Sequence, residues 1–113
     1  MKIAMAINQK GSMGDKIAEH FGRAENYLVY DIEKEDFVIY PNPEVSGGKL
    51  LPPDFLNQKQ VKAVIVFSVG PNAYEKFKNY GIKMYKARRG TIYDNIKFFK
   101  GENLKKLDQE DIF

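Results

Sequence analysis

The chain has 113 residues, a net charge of +3 and an isoelectric point near 9.0, and this length and composition suit one globular domain. It contains no cysteine, which excludes disulfides, thiolate zinc sites, cysteine nucleophiles and iron–sulfur clusters held by protein thiolates. No segment approaches the ~20 apolar residues that cross a bilayer, and basic and acidic residues are interspersed, so we expect a cytoplasmic protein without a membrane or nucleic-acid partner.

The first predicted strand is the nearly continuous apolar run at residues 3–7, a pattern typical of a strand buried on both faces. Residues 8–14 form a glycine-containing loop. Asp15 after this loop is a candidate N-cap. The spacing of the next apolar residues predicts a short helix that begins at Lys16 and ends at Gly22.

A β-hairpin is predicted next. Its strands, residues 26–32 and 37–40, are rich in β-branched and aromatic side chains and flank the polar turn 33–36. The prolines that follow end the hairpin, because proline cannot continue a central strand. Residues 44–53 then form a loop that leads into a helix near Phe55.

The second half of the chain alternates strands with helices. Residues 61–69 and 82–87 are apolar strands, and aromatic residues at helical spacing between them predict a helix that ends at Gly81. Thr91 and Asp94 have the spacing of a capping box and predict a third helix. The residues expected on its inner face are Ile92, Ile96 and Phe99.

This order of elements predicts an α/β, three-layer RNase H-like fold, with a mixed five-stranded sheet flanked by helices. The three apolar strands form its parallel centre, and the hairpin adds antiparallel strands on one side. We assign residues 1–101 to a single domain. Residues 102–113 form a short C-terminal tail, which carries few apolar residues and is expected to be a frayed helix or disordered.

The candidate binding residues follow the parallel strands, since ligands of open α/β sheets bind outside the carboxyl ends of the strands. Loops 8–14, 68–72 and 88–91 supply glycines, two helix N-termini and cations, all of which suit an anion. His20 is the only histidine and the only imidazole available to a metal. The candidates from this argument are Lys10, Gly11, His20, Gly70, Arg88 and Arg89.

Each candidate also has a purely structural explanation. Gly70 and Gly90 can serve tight turns, the adjacent arginines can be solvated, and a lone histidine can be an ordinary surface residue. The chain lacks a Gly-x-x-x-x-Gly-Lys-Ser/Thr phosphate loop and a His-Glu-x-x-His pair. Its first strand has no carboxylate for the metal ions of a nuclease, and a general base at His20 has no second catalytic residue. We therefore predict no enzymatic activity.

A motif follows the first loop: His20-Phe21-Gly22-Arg23-Ala24. It resembles a motif of the dinitrogenase iron–molybdenum cofactor biosynthesis family, which includes the NifX and NafY cofactor carriers and the C-terminal domain of NifB. The resemblance covers nearly the whole chain, including Asn42-Pro43, Gly70-Pro71-x-Ala73, Gly81-Ile82 and Thr91. It implies an RNase H-like fold and non-covalent binding of iron–molybdenum cofactor or an iron–sulfur precursor. The implicated ligand is the motif histidine, here His20, and Arg23 of the same motif joins the candidates.

Two functions follow from these residues. The first is a non-enzymatic carrier of an anionic metal–sulfur cluster, in which His20 contacts the metal while Lys10, Arg88, Arg89 and loop amides offset negative charge. Its partners are the cluster and a protein that delivers or receives it. The alternative is a regulatory domain that binds a small anion or a nucleotide without metal, in which Gly70 and the two arginines matter and the histidine does not.

Overall fold

The computed structural model describes residues 1–8, 12–45 and 47–112. The strands are β1 (Lys2–Ile7), β2 (Asn26–Asp31), β3 (Asp36–Pro41), β4 (Val61–Val66) and β5 (Lys83–Lys86). The helices are α1 (Pro52–Gln58), α2 (Pro71–Tyr80) and α3 (Ile92–Lys100), with 3₁₀ turns at Phe21–Arg23 and Gln109–Asp111. Among these residues, no helix is long and apolar enough to span a membrane.

The strands form one mixed sheet in the order β3-β2-β1-β4-β5. β1 is antiparallel to β2 and parallel to β4, β4 is parallel to β5, and β2 and β3 form the hairpin. β1 and β4 are buried on both faces, which explains their continuous apolar sequence. The predicted mixed five-stranded sheet, its parallel centre and its RNase H-like fold class are confirmed.

Helices cover both faces of the sheet. On one face, Leu56 of α1 and Phe77 of α2 pack in the same cluster as Val64. On the other face, Ile92 of α3 packs with Ile65. Val64 and Ile65 are consecutive in β4 and therefore point to opposite faces. These two clusters make the predicted three layers, and we call them the α1/α2-side core and the α3-side core.

The predicted helix ends of α2 and α3 are confirmed. Gly81 ends α2 with φ of 72°, a left-handed conformation that glycine adopts without a Cβ clash. At the start of α3, the Thr91 hydroxyl accepts a hydrogen bond from the Asp94 N–H at 3.1 Å. The Asp94 carboxylate in turn accepts one from the Thr91 N–H at 3.0 Å. This reciprocal pair begins α3 at the residue that the sequence indicates.

The helix predicted from Lys16 is wrong. Residues 12–20, the described part of the segment before the short 3₁₀ turn at Phe21–Arg23, contain no helix. The Ala18 N–H donates instead to the Ala6 carbonyl at 2.8 Å. This N–H therefore bonds to the end of β1 and not to a carbonyl one helical turn earlier. Ile17 lies in the α3-side core and Ala18 in the α1/α2-side core. The apolar spacing is not a helical face, because the chain crosses the edge of the sheet and buries side chains on both faces.

The expectation of a frayed helix or a disordered tail is also wrong for the described part of the tail, which runs beside β5. The Leu107 N–H donates to the Met84 carbonyl at 3.0 Å, and the Lys86 N–H donates to the Lys105 carbonyl at 2.7 Å. Few apolar side chains are needed for this arrangement, since every residue except proline offers the same backbone groups. The tail therefore covers the outer edge of β5.

Gly90 has a structural role that can be tested by Gly90→Ala. Its φ is 133°, and an added Cβ would lie 2.7 Å from the Asp94 carboxylate that caps α3. We expect backbone strain and a weakened cap to lower the free energy of unfolding by about 2 kcal/mol, measured by urea denaturation. The control is Gly70→Ala, because Gly70 has φ of −73° and open space around an added Cβ. Equal losses in the two variants would contradict this role.

Candidate functional site

Two cavities lie at the edge of the sheet where the parallel strands β1, β4 and β5 end. The α2 cavity, of about 400 Å³, is lined by the 3₁₀ turn that begins at Phe21 and by the first turns of α1 and α2. The α3 cavity, of about 680 Å³, is lined by residues before that turn and by the loop before α3. Two predicted residues, Lys10 and Gly11, lie outside the described residues.

His20 lines both cavities. It directly precedes the 3₁₀ turn, its side chain does not cap that turn, and the residue is exposed. Within the described part of the chain, its imidazole makes no hydrogen bond. Both ring nitrogens are therefore available to a ligand that enters from either cavity.

The α2 cavity combines an apolar wall with an open helix N-terminus. Its apolar residues are Phe21, Leu51, Pro52, Pro53, Val69 and Ala73. Gly70 precedes α2 without a side-chain cap, and the first backbone hydrogen bond of the helix runs from the Tyr74 N–H to the Gly70 carbonyl at 3.0 Å. The N–H groups of Asn72 and Ala73 have no partner among the described residues. They and the helix dipole favour an anion at this end.

The N-terminus of α3 does not offer such a site, which corrects the expectation of two helix N-termini open to an anion. The Ile92 N–H donates to the Asp15 carbonyl at 2.8 Å, and the Tyr93 N–H donates to the Met13 carbonyl at 2.9 Å. The next N–H is taken by the capping box. Residues 13–15, which come directly before the wrongly predicted helix, therefore close this N-terminus.

The α3 cavity owes its positive charge to side chains. Lys16 and Arg89 line it together with one acid, Glu19. Neither cation forms an ion pair with a described residue. Their charges are therefore not neutralised within the part of the chain that the structure covers, and they can attract an anion to the cavity.

The side chains of the two adjacent arginines lie in different surroundings. Arg89 lines the α3 cavity, but Arg88 lines neither cavity. The Arg88 guanidinium carbon lies 4.0 Å from the centroid of the Phe98 ring, where the cation contacts the aromatic face. Of the two predicted arginines, only Arg89 therefore lines one of these two cavities, because consecutive residues of the loop point in different directions.

Of the described charged side chains that line the α2 cavity, one forms an ion pair and the remaining two carry opposite charges. Lys76 lines the cavity, and its Nζ lies 2.8 Å from the Asp54 carboxylate, which the Tyr80 hydroxyl also contacts. The hydrogen bonds from Lys76 and then Tyr80 hold the pKa of Asp54 below its usual value. The remaining charges are Arg23 and Glu44. Attraction of an anion to this cavity therefore depends on Arg23 and the N-terminus of α2.

Two glycines of the α2 cavity are not explained by the backbone. Gly22 and Gly70 both line the cavity, and both have φ outside the left-handed region. An added Cβ would meet nothing within 4 Å at either position. The backbone therefore does not require glycine at either position, and the absence of a side chain leaves the cavity wall open there.

Sequence reasoning missed several lining residues. Ser68, like His20, lines both cavities, and Lys16 lines the α3 cavity. The position of Ser68, directly after β4, was a signal that could have identified it. Glu44 and Lys76 come from a distant loop and a helix, and no local pattern marks them. Within the described ranges there is no group of three or more histidine, cysteine or acidic residues that could hold a metal ion.

These features define a small α/β domain with a candidate binding site at the carboxyl edge of a mixed sheet. The sequence profile of the dinitrogenase iron–molybdenum cofactor family matches residues 1–102, and the chain belongs to this family. An uncharacterized protein of Methanocaldococcus jannaschii is 32% identical over 114 aligned positions, which cover 96% of this chain and 92% of that protein. The resemblance inferred from the motif is therefore confirmed.

Solved structures support the same fold. A NifB-like protein of the DUF35 family from Thermotoga is 27% identical, with a TM-score of 0.78, and the match covers 94% of this chain and 92% of that one. The apo form of the orange protein from Desulfovibrio gigas has a TM-score of 0.84 at 18% identity, with the same two coverages. At that identity the likeness concerns the fold alone.

Proposed function

We propose that this chain is a non-enzymatic carrier of an anionic metal–sulfur cluster, either iron–molybdenum cofactor or an iron–sulfur precursor of it. The observation that carries the proposal is the placement of His20, whose exposed imidazole lines both cavities and has no hydrogen-bond partner among the described residues. An imidazole without an internal partner is available to bind iron. Membership of the family supports this class of cargo.

The charges on both sides of His20 support an anionic cargo. Lys16 and Arg89 lie on the α3-cavity side, and Arg23 and the N-terminus of α2 lie on the other side. Backbone N–H groups and unpaired cations stabilise an anion without forming a metal bond. The cluster would therefore be held by one metal contact and by several electrostatic contacts.

Such a site suits transfer of the cargo. A single imidazole binds a metal weakly and exchangeably. The chain has no cysteine that could add a more stable thiolate ligand. Among the described residues, no acidic or basic side chain forms a hydrogen bond with the His20 imidazole, so we assign His20 no catalytic role. The proposal includes a partner protein that delivers or receives the cluster, and a cytoplasmic location.

The proposal is tested by anaerobic titration with two probes, extracted iron–molybdenum cofactor and a synthetic iron–sulfur cluster with exchangeable ligands. We expect a change in the visible absorption spectrum, with iron and sulfide retained by the protein through gel filtration. A spectrum equal to that of the free probe, with no retained metal, would contradict the carrier function.

The neighbouring arginines offer a matched test of the electrostatic part. Arg89→Ala removes a cation of the α3 cavity, whereas Arg88→Ala removes one that lies on Phe98. We expect the Arg89 variant to bind the cluster about fivefold more weakly at low salt, with a smaller difference at high salt. The Arg88 variant should bind as the wild type does. Equal effects of the two substitutions would exclude a specific role of Arg89.

The alternative is a metal-free domain that binds a small anion or a nucleotide. It is favoured by the N–H groups of Asn72 and Ala73, which have no partner in the described ranges of the chain, and by the open wall at Gly70. Titration with nucleotides at two salt concentrations distinguishes the two functions, because phosphate contacts weaken with salt. Nucleotide binding that persists in His20→Ala, without cluster binding by the wild type, would favour the alternative.

A further inference from the structure

The 3₁₀ turn beside His20 is held in part by a buried side chain that follows β3. Asn42 is 0% exposed. Its Nδ2 donates hydrogen bonds to the carbonyls of Gly22 at 3.1 Å and Ala24 at 2.8 Å. Its backbone N–H donates to the Glu25 carbonyl at 2.9 Å. One residue therefore binds three carbonyls of the segment that follows the histidine.

A tyrosine completes this arrangement. The Tyr27 hydroxyl donates to the Phe21 carbonyl at 2.7 Å and accepts a hydrogen bond from Nδ2 of Asn42 at 3.2 Å. Burial, and to a smaller extent the nearby charge of Glu44, raises the pKa of Tyr27 far above its usual value. The hydroxyl therefore stays protonated and continues to donate.

The same asparagine also reaches another wall of the α2 cavity. Its Oδ1 accepts a hydrogen bond from the Glu44 N–H at 3.0 Å, and Glu44 lines the cavity. The turn beside His20 also lines that cavity. Asn42 thus connects the wall that carries the histidine to the wall formed by the loop after β3.

We propose that Asn42 is a positioning residue that fixes the backbone turn from which the His20 side chain projects at the two cavities. A metal ligand whose backbone is held in place before binding loses less conformational freedom when it binds, so the complex is tighter. The consequence for the cargo depends on the carrier function proposed above. The placement of the turn is a property of the free protein and can be measured without cargo.

The chain contains a matched control. Asn95 is the other buried polar residue among those described, and it is also 0% exposed. Its Nδ2 donates to the carbonyls of Arg88 at 2.9 Å and Thr91 at 3.0 Å, and its Oδ1 accepts from the Arg88 N–H at 2.9 Å. Asn95 therefore holds the loop before α3 by the same kinds of bond, without a hydrogen bond to the turn beside His20.

The test compares Asn42→Ala with Asn95→Ala by NMR, using the imidazole Cε1–H signal, which is unique because the chain has one histidine. Both variants should unfold at lower temperature than the wild type. Only Asn42→Ala should shift and broaden the histidine signal. We also expect Asn42→Ala to bind the synthetic iron–sulfur cluster about tenfold more weakly.

Tyr27→Phe is a second, milder variant that decides the question if Asn42→Ala does not fold, and it should shift the same signal by a smaller amount. An unchanged histidine signal, or an equal change in Asn95→Ala, would overturn the positioning role. So would wild-type cluster affinity in an Asn42 variant whose histidine signal has moved. A wild-type protein that binds no cluster would contradict the carrier function alone, because the NMR comparison uses no cargo.

Discussion

Replacement of His20 by alanine is expected to weaken cluster binding by about 100-fold, the scale of losses at metal sites, while thermal unfolding stays unchanged. The histidine is exposed and has no hydrogen-bond partner among the described residues, so its removal breaks no contact that stabilises the fold. It is also the only imidazole of the chain. The measurements are anaerobic titration with the synthetic iron–sulfur cluster and a thermal melt followed by circular dichroism.

Glu19→Ala is the control for this variant. Glu19 is exposed, directly precedes His20 and lines the α3 cavity, but a carboxylate there repels an anionic cluster. The Glu19 variant should therefore bind at least as tightly as the wild type. Equal affinities of His20→Ala and the wild type would remove the observation on which the carrier function depends. A large loss of thermal stability in His20→Ala would show instead that the residue supports the fold.

Phe77→Ala is expected to have the largest effect on stability, a loss of about 4 kcal/mol in the free energy of unfolding. Phe77 is 0% exposed, and its ring contacts the Phe21 ring edge-on at a centroid distance of 5.4 Å. Phe21 in turn lies 4.9 Å from the Tyr27 ring. Truncation would leave a void in the α1/α2-side core beneath the turn beside His20. Urea denaturation measures the loss.

Tyr93→Ala controls for the removal of an aromatic ring from a helix. Tyr93 is 52% exposed on α3, and its ring contacts the exposed Lys97. Its removal should change the free energy of unfolding by less than about 1 kcal/mol. Phe77→Leu, which keeps most of the volume, should lie between the two variants. A loss below 1 kcal/mol in Phe77→Ala would mean that the core closes around the void.

Much of the fold could be predicted because its signals are local. The apolar runs of β1 and β4 report burial on both faces, and the Thr91–Asp94 pair is a complete capping box within four residues. Gly81 is also a local signal for the end of α2, because glycine is the residue that most readily adopts the left-handed conformation found there. Parallel pairing of the apolar strands then followed from the order of the elements.

The errors arose where contacts between distant segments override local pattern. The segment at Lys16 has helical spacing, but its backbone bonds to β1 and to the start of α3. That docking also closes the N-terminus of α3, whereas Gly70 leaves the N-terminus of α2 without a side-chain cap. The tail has few apolar residues, yet it lies beside β5 through backbone hydrogen bonds, and Leu104, Leu107 and Ile112 pack against the two cores.

The fold class, the family and the edge of the sheet where His20 lies can all be inferred from the amino-acid sequence, because strand burial, caps and the motif are properties of short segments. The surroundings of that histidine depend on the packing of distant segments. This packing places Arg89 at a cavity and Arg88 on Phe98, leaves the α2 N-terminus open, and brings Asn42 to the turn beside His20. These contacts join segments far apart in the chain, so they depend on how the layers pack.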